Sequence, residues 1–189
     1  GFTAKRIDFD DFLVKRLKGK YTSFYRNWDA KKIVYTNGGI SIYLQNQNDE
    51  MICESRVVVG AEGDRSITAK KLAGYNLQPK HYFAGLRAYY ENVKGLHQDN
   101  YIELHFIPEA LPGYFWIFPL NNNQANTGLG ILSSDIRNKK LNMKKIFHKA
   151  LTENKELKER FKDAKIVDKI RGWGLPLGSR KMKRSGDRF

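Results

Sequence analysis

The spacing of apolar residues changes along the chain, and each change predicts a new element. Four apolar residues near the start recur at helical spacing: Phe9, Phe12, Leu13 and Leu17. Asp8 is placed to cap this helix, basic residues fill its last turn, and Gly19 is placed to end it. We therefore predict a helix over residues 6–18.

After residue 20 the apolar residues alternate, which predicts β-strands. We predict a strand over 21–28, then a hairpin that turns at Asn37–Gly39. The β-branched run Arg56–Val59 predicts another strand. A short helix is expected from Ser66, which can cap it, to about Leu72, with Gly74 as its end.

Four longer segments with strand character follow, separated by turn-rich pieces: HYFAGLRAYYENV, NYIELHFI, GYFWIFPL and NQANTGLGILSS. Their order is typical of an antiparallel meander. Residues 142–162 predict one or two amphipathic helices, and a last strand-like piece, AKIVDKIRGWGLPLG, precedes a basic tail. The fold class is therefore α+β, a mostly antiparallel sheet flanked by helices.

Composition limits the class of protein. The 189 residues, of which 41% are hydrophobic and 13% aromatic, suffice for a globular core. The sequence contains no apolar run of the roughly 18 residues that a membrane span needs, and no secretion signal at its start. We expect a cytoplasmic protein, either free or peripheral to the membrane. The single cysteine, Cys53, is expected to be a small core residue.

The formal net charge of +14 admits three kinds of partner. Much of the excess lies between Lys139 and Arg188 on segments that also contain acidic residues, which is typical of a solvated face. These segments lack the aromatic and glycine arrangement of an RNA-binding module, so nucleic acid is not the expected partner. Contact with anionic phospholipid, or with a phosphorylated ligand, stays open.

The stretch Gly60-Ala61-Glu62-Gly63 is the first candidate for chemistry, because a glycine turn before a helix can present backbone N–H groups to a phosphate. Its spacing alone favours a plain tight turn over phosphate contact, since it matches neither G-x-G-x-x-G nor the P-loop.

The strand GYFWIFPL is the second candidate. Residues two apart share a face of a strand, so Tyr114, Trp116 and Phe118 project together while Phe115 and Ile117 point the other way. The three rings are either core or the wall of a ligand pocket, which favours aromatic residues with a polar edge. Pro119, which follows them in sequence, is expected to end the strand or to place it at a sheet edge.

No metal site is predicted, because the histidines are scattered without ligand spacing: His81, His97, His105 and His148. His105 and Tyr89 lie on predicted strands and could face a ligand, and the catalytic residue is unknown.

Three stretches in order resemble the FAD-dependent geranylgeranyl reductase family, within the para-hydroxybenzoate hydroxylase-like flavoproteins. They are R-x-x-F-D at Arg6–Asp10, VVVGAEGDRS at Val57–Ser66, and LPGYFWIFPL followed by ANTGLGI. The most specific element is the Tyr-x-Trp-x-Phe-Pro motif. The resemblance implies a remnant of the FAD-binding domain over residues 1–74 and a substrate-binding sheet with C-terminal helices over 75–189, together forming one compact unit.

The resemblance also implies roles for particular residues. The residues expected near FAD are Arg6, Gly60, Ala61, Glu62, Gly63 and Ser66, and those expected to line the isoprenoid cavity are Tyr114, Trp116 and Phe118. Glu62 replaces the family's aspartate and Leu120 replaces a lysine that often follows the proline. The longer side chain of Glu62 changes its reach toward the cofactor, and any role of that lysine is lost.

Such enzymes reduce carbon–carbon double bonds of prenyl lipids with reduced FAD, which NAD(P)H or another donor regenerates. The G-x-G-x-x-G unit and the Gly-Asp-Ala motif of the family do not occur in these 189 residues. The chain therefore resembles a central segment of the enzyme, and we expect it to be inactive and to hold little FAD when purified alone. A yellow preparation with one flavin per chain would contradict this.

Two other functions stay open at this point. A flavin-dependent monooxygenase or halogenase acting on a small aromatic would share the fold and the glycine turn. A non-enzymatic nucleic-acid or membrane-surface binder would instead rely on the basic tail that contains Arg180, Lys181, Lys183 and Arg184.

Overall fold

The computed structural model describes residues 3–17 and 19–189, which form two compact units where one was expected. The larger unit contains the described part of residues 1–18 together with Pro79–Gly178, and the smaller contains Gly19–Gln78 together with Ser179–Phe189. The chain passes from the smaller to the larger unit between Gln78 and Pro79, close to the boundary predicted after residue 74. The described N-terminal residues belong to the larger unit and residues 179–189 to the smaller, the reverse of their predicted assignment. The C-terminal segment joins the smaller unit through a hydrogen bond from the amide of Val58 to the carbonyl of Arg188.

The helices and strands are, in chain order, α1 (Arg6–Arg16), β1 (Asp29–Tyr35), β2 (Ile40–Gln45), β3 (Glu50–Ser55), α2 (Ile67–Lys71), β4 (Tyr82–Glu91), β5 (Glu103–His105), β6 (Tyr114–Pro119), β7 (Ala125–Leu132), α3 (Ser133–Asn138), α4 (Met143–Glu153), α5 (Lys155–Phe161), β8 (Lys165–Ile166) and β9 (Arg171–Pro176). Short 3-10 turns lie at Gly63–Arg65, Pro79–His81 and Pro108–Ala110.

The larger unit is built on an antiparallel sheet in the order β5-β6-β7-β4, with β8 and β9 both pairing to β4. The α+β class with a mostly antiparallel sheet is confirmed. The meander holds only for β5, β6 and β7, because β4 pairs with β7 along its length and does not lie beside β5. Strands β4 and β5, which are consecutive in the sequence, are therefore separated in the sheet by β6 and β7.

One face of this sheet forms the main core. Phe115 and Ile117 of β6 are fully buried there. Helix α4 supplies Phe147, whose ring centroid lies 5.7 Å from that of Phe115, and α5 supplies Phe161, 5.4 Å from Tyr90 of β4. We call this the closed face, and the opposite face of the sheet the open face.

The two predicted amphipathic helices are confirmed as α4 and α5, and each is capped by an asparagine. The side chain of Asn142 accepts from the amide of Lys145, and that of Asn154 accepts from the amides of Glu156 and Leu157. Helix α3 was not predicted: its first two residues were assigned to the end of the preceding strand, and residues 135–138 were assigned to no element. Helix α1 is confirmed, but Lys5 occupies its N-cap without a side-chain bond, so the predicted Asp8 cap is wrong.

The smaller unit contains the predicted hairpin, β1 and β2, extended by β3 into a three-stranded antiparallel sheet. Helix α2 packs against β1, and its core includes Ile33, Ile40 and Val58. The predicted helix from Ser66 is confirmed, and Gly74 has the positive φ of +63° that suits a residue ending a helix.

Two predicted strands are absent from the described part of this unit. Residues 21–28 form no strand, and β1 has only β2 as a neighbour. The run Arg56–Val59 is not a strand because Ser55 pairs with the first residue of β2, so no partner continues beyond it. The strand of this region is β3, which precedes the valines.

Cys53 is exposed, so its prediction as a core residue is wrong. It lies on β3, an edge strand of the small sheet, whereas α2 covers the opposite edge at β1. Among the described residues, no helix has the length and apolar character required to cross a bilayer.

Candidate functional site

The aromatic residues of β6 form a row on the open face. Burial alternates along the strand, with Tyr114, Trp116 and Phe118 half-buried and the residues between them fully buried on the closed face. The ring centroids of Tyr114 and Trp116 are 6.3 Å apart, and those of Trp116 and Phe118 are 5.9 Å apart. The predicted division of the strand into two faces is therefore confirmed.

Phe106 extends this row beyond the predicted residues. Its ring lies 6.3 Å from that of Tyr114 and is 67% exposed. It follows β5, whose Leu104 is paired with Trp116. Edge-to-face contacts at these distances hold neighbouring rings in fixed orientations, and so the row presents a continuous apolar surface. Pro119 is the last residue of β6, as predicted, and its strand lies between β5 and β7 and not at a sheet edge.

The indole of Trp116 lies across β7 at Gly128, which has no side chain to obstruct it. Gly128 of β7 is paired directly with Trp116, and a Cβ there would lie 2.5 Å from the carbonyl oxygen of Leu86 and closer still to the indole ring. The indole N–H donates to the side-chain oxygen of Asn126 over 3.1 Å. The glycine and the asparagine together fix the indole plane against the sheet.

In the smaller unit, the side chain of Glu62 in the glycine turn bonds to residues at the start of α2. The carboxylate of Glu62 accepts from the hydroxyls of Ser66 and Thr68, both at 2.7 Å, and from the amide of Thr68 at 3.1 Å. The Ser66 hydroxyl oxygen in turn accepts from the amide of Ala69. Glu62 and Ser66 therefore cap α2, a role that the sequence indicated only for Ser66.

These contacts set the protonation of Glu62. Partial burial on its own would raise the pKa of this carboxyl, but the hydrogen bonds from Ser66 and Thr68 outweigh burial and lower it. Because the folded-state pKa is lowered, the stabilisation is present above the ordinary value of about 4.3 and is lost as pH falls through the folded-state pKa.

We expect the Glu62→Gln variant to be less stable than the wild type by up to about 1 kcal/mol near neutral pH, because the carboxylate is largely exposed. Urea unfolding measured at several pH values should show this difference shrinking toward zero at about pH 3. Glu54→Gln on β3, where no hydrogen bond to the carboxylate is found among the described residues, is the control. A difference that is the same at all pH values would show that ionisation of Glu62 is not involved.

The two glycines of the turn serve different purposes. A Cβ at Gly60 would lie 2.6 Å from the Cβ of Thr68, so close packing onto α2 accounts for this glycine. Gly63 has a φ of +74° and open space around it, so its conformation and not crowding requires glycine. Residues 60–63 are all exposed. The turn can therefore approach a cofactor through its exposed backbone, while the side chains of Glu62 and Ser66 are already engaged.

Arg6 lies in the larger unit at the start of α1. Its guanidinium donates to both carboxylate oxygens of Asp10, at 2.9–3.1 Å, and its side chain is 78% exposed. The hydrogen bond and the charge of Asp10 raise its pKa further. Its predicted role near FAD therefore stays a prediction.

A cluster of charges that the sequence did not indicate joins β5 to α5. The guanidinium of Arg160 donates to both oxygens of Glu103, at 2.5 and 2.8 Å, and to the carbonyls of Lys94 and Gly95. His105 lies 3.2 Å from Glu103 and 3.9 Å from Glu156.

The ligand atoms of Glu103, His105 and Glu156 lie within 4.8 Å of one another, a spacing that could hold a metal. Burial on its own would raise the pKa of Glu103, but the bonds from Arg160 outweigh it and lower the value. Because Arg160 occupies both oxygens of Glu103 with a fixed positive charge, we assign the cluster a structural role.

Comparisons with known proteins show which family and which relatives this chain is similar to. Residues 83–173 match the geranylgeranyl reductase catalytic domain, and that segment contains the whole aromatic row. Digeranylgeranylglycerophospholipid reductase 1 of Methanopyrus kandleri is 29% identical over 140 residues, which cover 71% of this chain and 36% of that protein.

Two solved structures share the fold. A triple mutant of the flavin-dependent brominase Bmp2 is 19% identical with a TM-score of 0.79, over 100% of this chain and 48% of the other. A geranylgeranyl bacteriochlorophyll reductase-like protein of Thermoplasma acidophilum is 19% identical with a TM-score of 0.63, over 79% of this chain and 36% of the other. At these identities the likeness concerns the fold alone.

The chain spans between about a third and a half of the length of these relatives, with shares of 36% and 48% at the two ends of the range. The matched segment and the related reductase agree with the resemblance found in the sequence. Over residues 83–173, the segment that contains the aromatic row, the chain is similar to the geranylgeranyl reductase family.

Proposed function

We propose that the protein containing this chain is an FAD-dependent oxidoreductase that reduces carbon–carbon double bonds of a prenyl lipid. The observation that supports this most is the row of Tyr114, Trp116 and Phe118, half-buried on the open face within the segment that matches the reductase domain. A surface of adjoining rings suits an extended apolar chain, because each buried methylene contributes about 0.8 kcal/mol without directional demands.

In this proposal the chain's own residues bind and orient the substrate. The rings of β6 lie in contact with the prenyl chain and exclude water from it, and the Asn126 bond to Trp116 keeps the indole in one orientation. The residues of this chain that would hold the flavin are the exposed backbone of residues 60–63 and the side chain of Arg6. Reduced FAD, when bound, supplies a hydride to one alkene carbon while a proton adds to the other.

The test is an anaerobic incubation of the flavin-loaded protein with a geranylgeranyl phospholipid and dithionite, followed by mass spectrometry of the lipid. We expect the gain of two hydrogens for each reduced double bond. Because dithionite reduces the flavin directly, the test does not depend on the natural electron donor, which we propose to be NAD(P)H or another reductant. A lipid that keeps all its double bonds, together with oxygen-dependent turnover of a small aromatic, would contradict the proposal and favour a monooxygenase or halogenase.

We also propose peripheral contact with an anionic membrane, where such a lipid resides. Three exposed basic residues of the C-terminal segment support this: Lys181, Lys183 and Arg184. Replacing all three by glutamine should weaken binding to phosphatidylserine vesicles at low salt by about 100-fold, since each charge near the surface contributes roughly 1 kcal/mol. The matched control replaces Lys155, Lys158 and Lys162, which are exposed on or beside α5. Equal losses in both variants would show that the attraction is not local to this segment.

A further inference from the structure

Arg87 is placed on the open face of the sheet, on an interior strand next to the edge. It lies on β4, where it is paired with Gly128 of β7 on one side and with Arg171 of β9 on the other. Its guanidinium lies over the ring of Tyr89, 4.7 Å from the centroid. Its Nη1 atom is buried and has no hydrogen-bond partner among the described residues. A buried cationic nitrogen without an acceptor is costly, so this position is not explained by stability.

The neighbouring charges increase that cost. Like charges directly opposite on adjacent strands repel each other, and Arg171 faces Arg87 in this way. Arg171 has a carboxylate partner, because its Nε donates to Asp168 over 3.1 Å. Of the two arginines, only Arg171 is bonded to a carboxylate, and Arg87 has no ion pair in the part of the chain that the structure describes.

The same row of the sheet leads directly to the aromatic residues. Trp116, Gly128, Arg87 and Arg171 are consecutive pairing partners across four strands. With strands about 4.8 Å apart, the Cα atoms of Arg87 and Trp116 are separated by about 10 Å. Gly128 contributes no side chain between them, and neither do its neighbours Gly130 and Gly85 in the next row. A ligand can therefore contact the guanidinium and the indole at once.

We propose that Arg87, with Arg171 beside it, binds the anionic oxygens of an amphiphilic substrate, a phosphate-bearing prenyl lipid whose chain lies along the rings of β6. This inference rests on the proposed function and deepens it by assigning the residues that hold the anionic group of the substrate. An arginine offers a planar, permanently charged set of donors that matches a phosphate group, and the Nη1 atom of Arg87 bonds to no acceptor among the described residues. The bound anion also relieves the repulsion between the two arginines.

The experiment compares three probes on the 189-residue chain by titration calorimetry: geranylgeranyl phosphate, geranylgeraniol and inorganic phosphate. We expect the wild type to bind geranylgeranyl phosphate at least about 10-fold more tightly than geranylgeraniol, the gain typical of a hydrogen-bonded charge. Arg87→Met should remove that difference and leave geranylgeraniol binding unchanged. Arg137→Met, an exposed arginine on α3, is the matched control and should keep the difference.

The outcomes separate this inference from the proposed function. If neither prenyl probe binds, the prenyl-lipid proposal fails and this one fails with it. If both bind equally, and Arg87→Met changes neither, only the role of Arg87 is overturned. If inorganic phosphate binds as tightly as geranylgeranyl phosphate, the site takes free phosphate and the lipid headgroup is excluded.

Folding is checked on the same variants. Because Arg87→Met removes a like-charge contact, we expect its melting temperature to be unchanged or raised by about 2 °C. Should it fail to fold, Arg171→Met tests the same site, since Arg171 has its own carboxylate and is exposed. A loss of about threefold or more in affinity for geranylgeranyl phosphate supports the proposal. No loss overturns it.

Discussion

Replacing Gly128 by alanine is expected to lower the free energy of unfolding by about 3 kcal/mol, near the upper end for overpacking a filled space. The new Cβ would lie 2.5 Å from the carbonyl oxygen of Leu86, which belongs to the adjacent strand and cannot move alone. It would lie closer still to the indole of Trp116, which would have to leave its place and its hydrogen bond to Asn126. Urea unfolding measures the loss.

Gly130→Ala is the matched control, because it is on the same strand and the same face. There the nearest heavy atom to a new Cβ is Cδ1 of Phe83, at an ordinary contact distance of 3.5 Å. We expect a change within about 0.5 kcal/mol. If both substitutions were tolerated equally, the indole would not lie against Gly128 and the described shape of the open face would be wrong.

Replacing Arg160 by methionine is expected to cost about 3 kcal/mol, the lower end for breaking a buried ion pair. The Arg160 side chain is only 13% exposed and that of Glu103 is 23% exposed, so the remaining carboxylate would lose its main partner where water compensates poorly. The carbonyls of Lys94 and Gly95 would each lose a donor as well. The measurement is again the free energy of unfolding in urea.

Lys94→Met provides the comparison for Arg160. Lys94 pairs with Asp163 at 2.5 Å, but both side chains are about 60% exposed, at 63% and 59%, so we expect less than about 0.5 kcal/mol. The double variant Arg160→Met with Glu103→Leu should recover part of the loss, because no unpaired carboxylate remains. A small effect of Arg160→Met alone would refute the structural role assigned to the cluster.

The sequence was sufficient where the signals are local. The hairpin at Asn37–Gly39, the Ser66 cap and the two helices of residues 142–162 were all predicted because turn residues, caps and helical spacing act within a few positions. The strand predicted at Arg56–Val59 failed for the complementary reason. A β-branched run forms a strand only beside a partner, and here β2 begins opposite Ser55, so no residue of β2 lies opposite the run.

Part of the candidate site could be predicted from the sequence. Alternation along β6 predicted which rings share a face, and burial follows that alternation residue by residue. The crossing of β4 over to β7 was not predictable, and it alone brings Arg87 into the row of Trp116. The contact of Arg160 with Glu103 joins residues 57 positions apart, and no local pattern indicates such a pair.

The central claim is that the open-face rings of β6 bind a prenyl chain, and intermolecular NOEs test it most directly. With geranylgeraniol added to the isotope-labelled chain, we predict NOEs from its methyl protons to the rings of Tyr114, Trp116 and Phe118. Phe115 is the internal control, since its ring is on the same strand but fully buried on the closed face. NOEs to none of the three open-face rings, or NOEs to Phe115 of equal strength, would contradict the account.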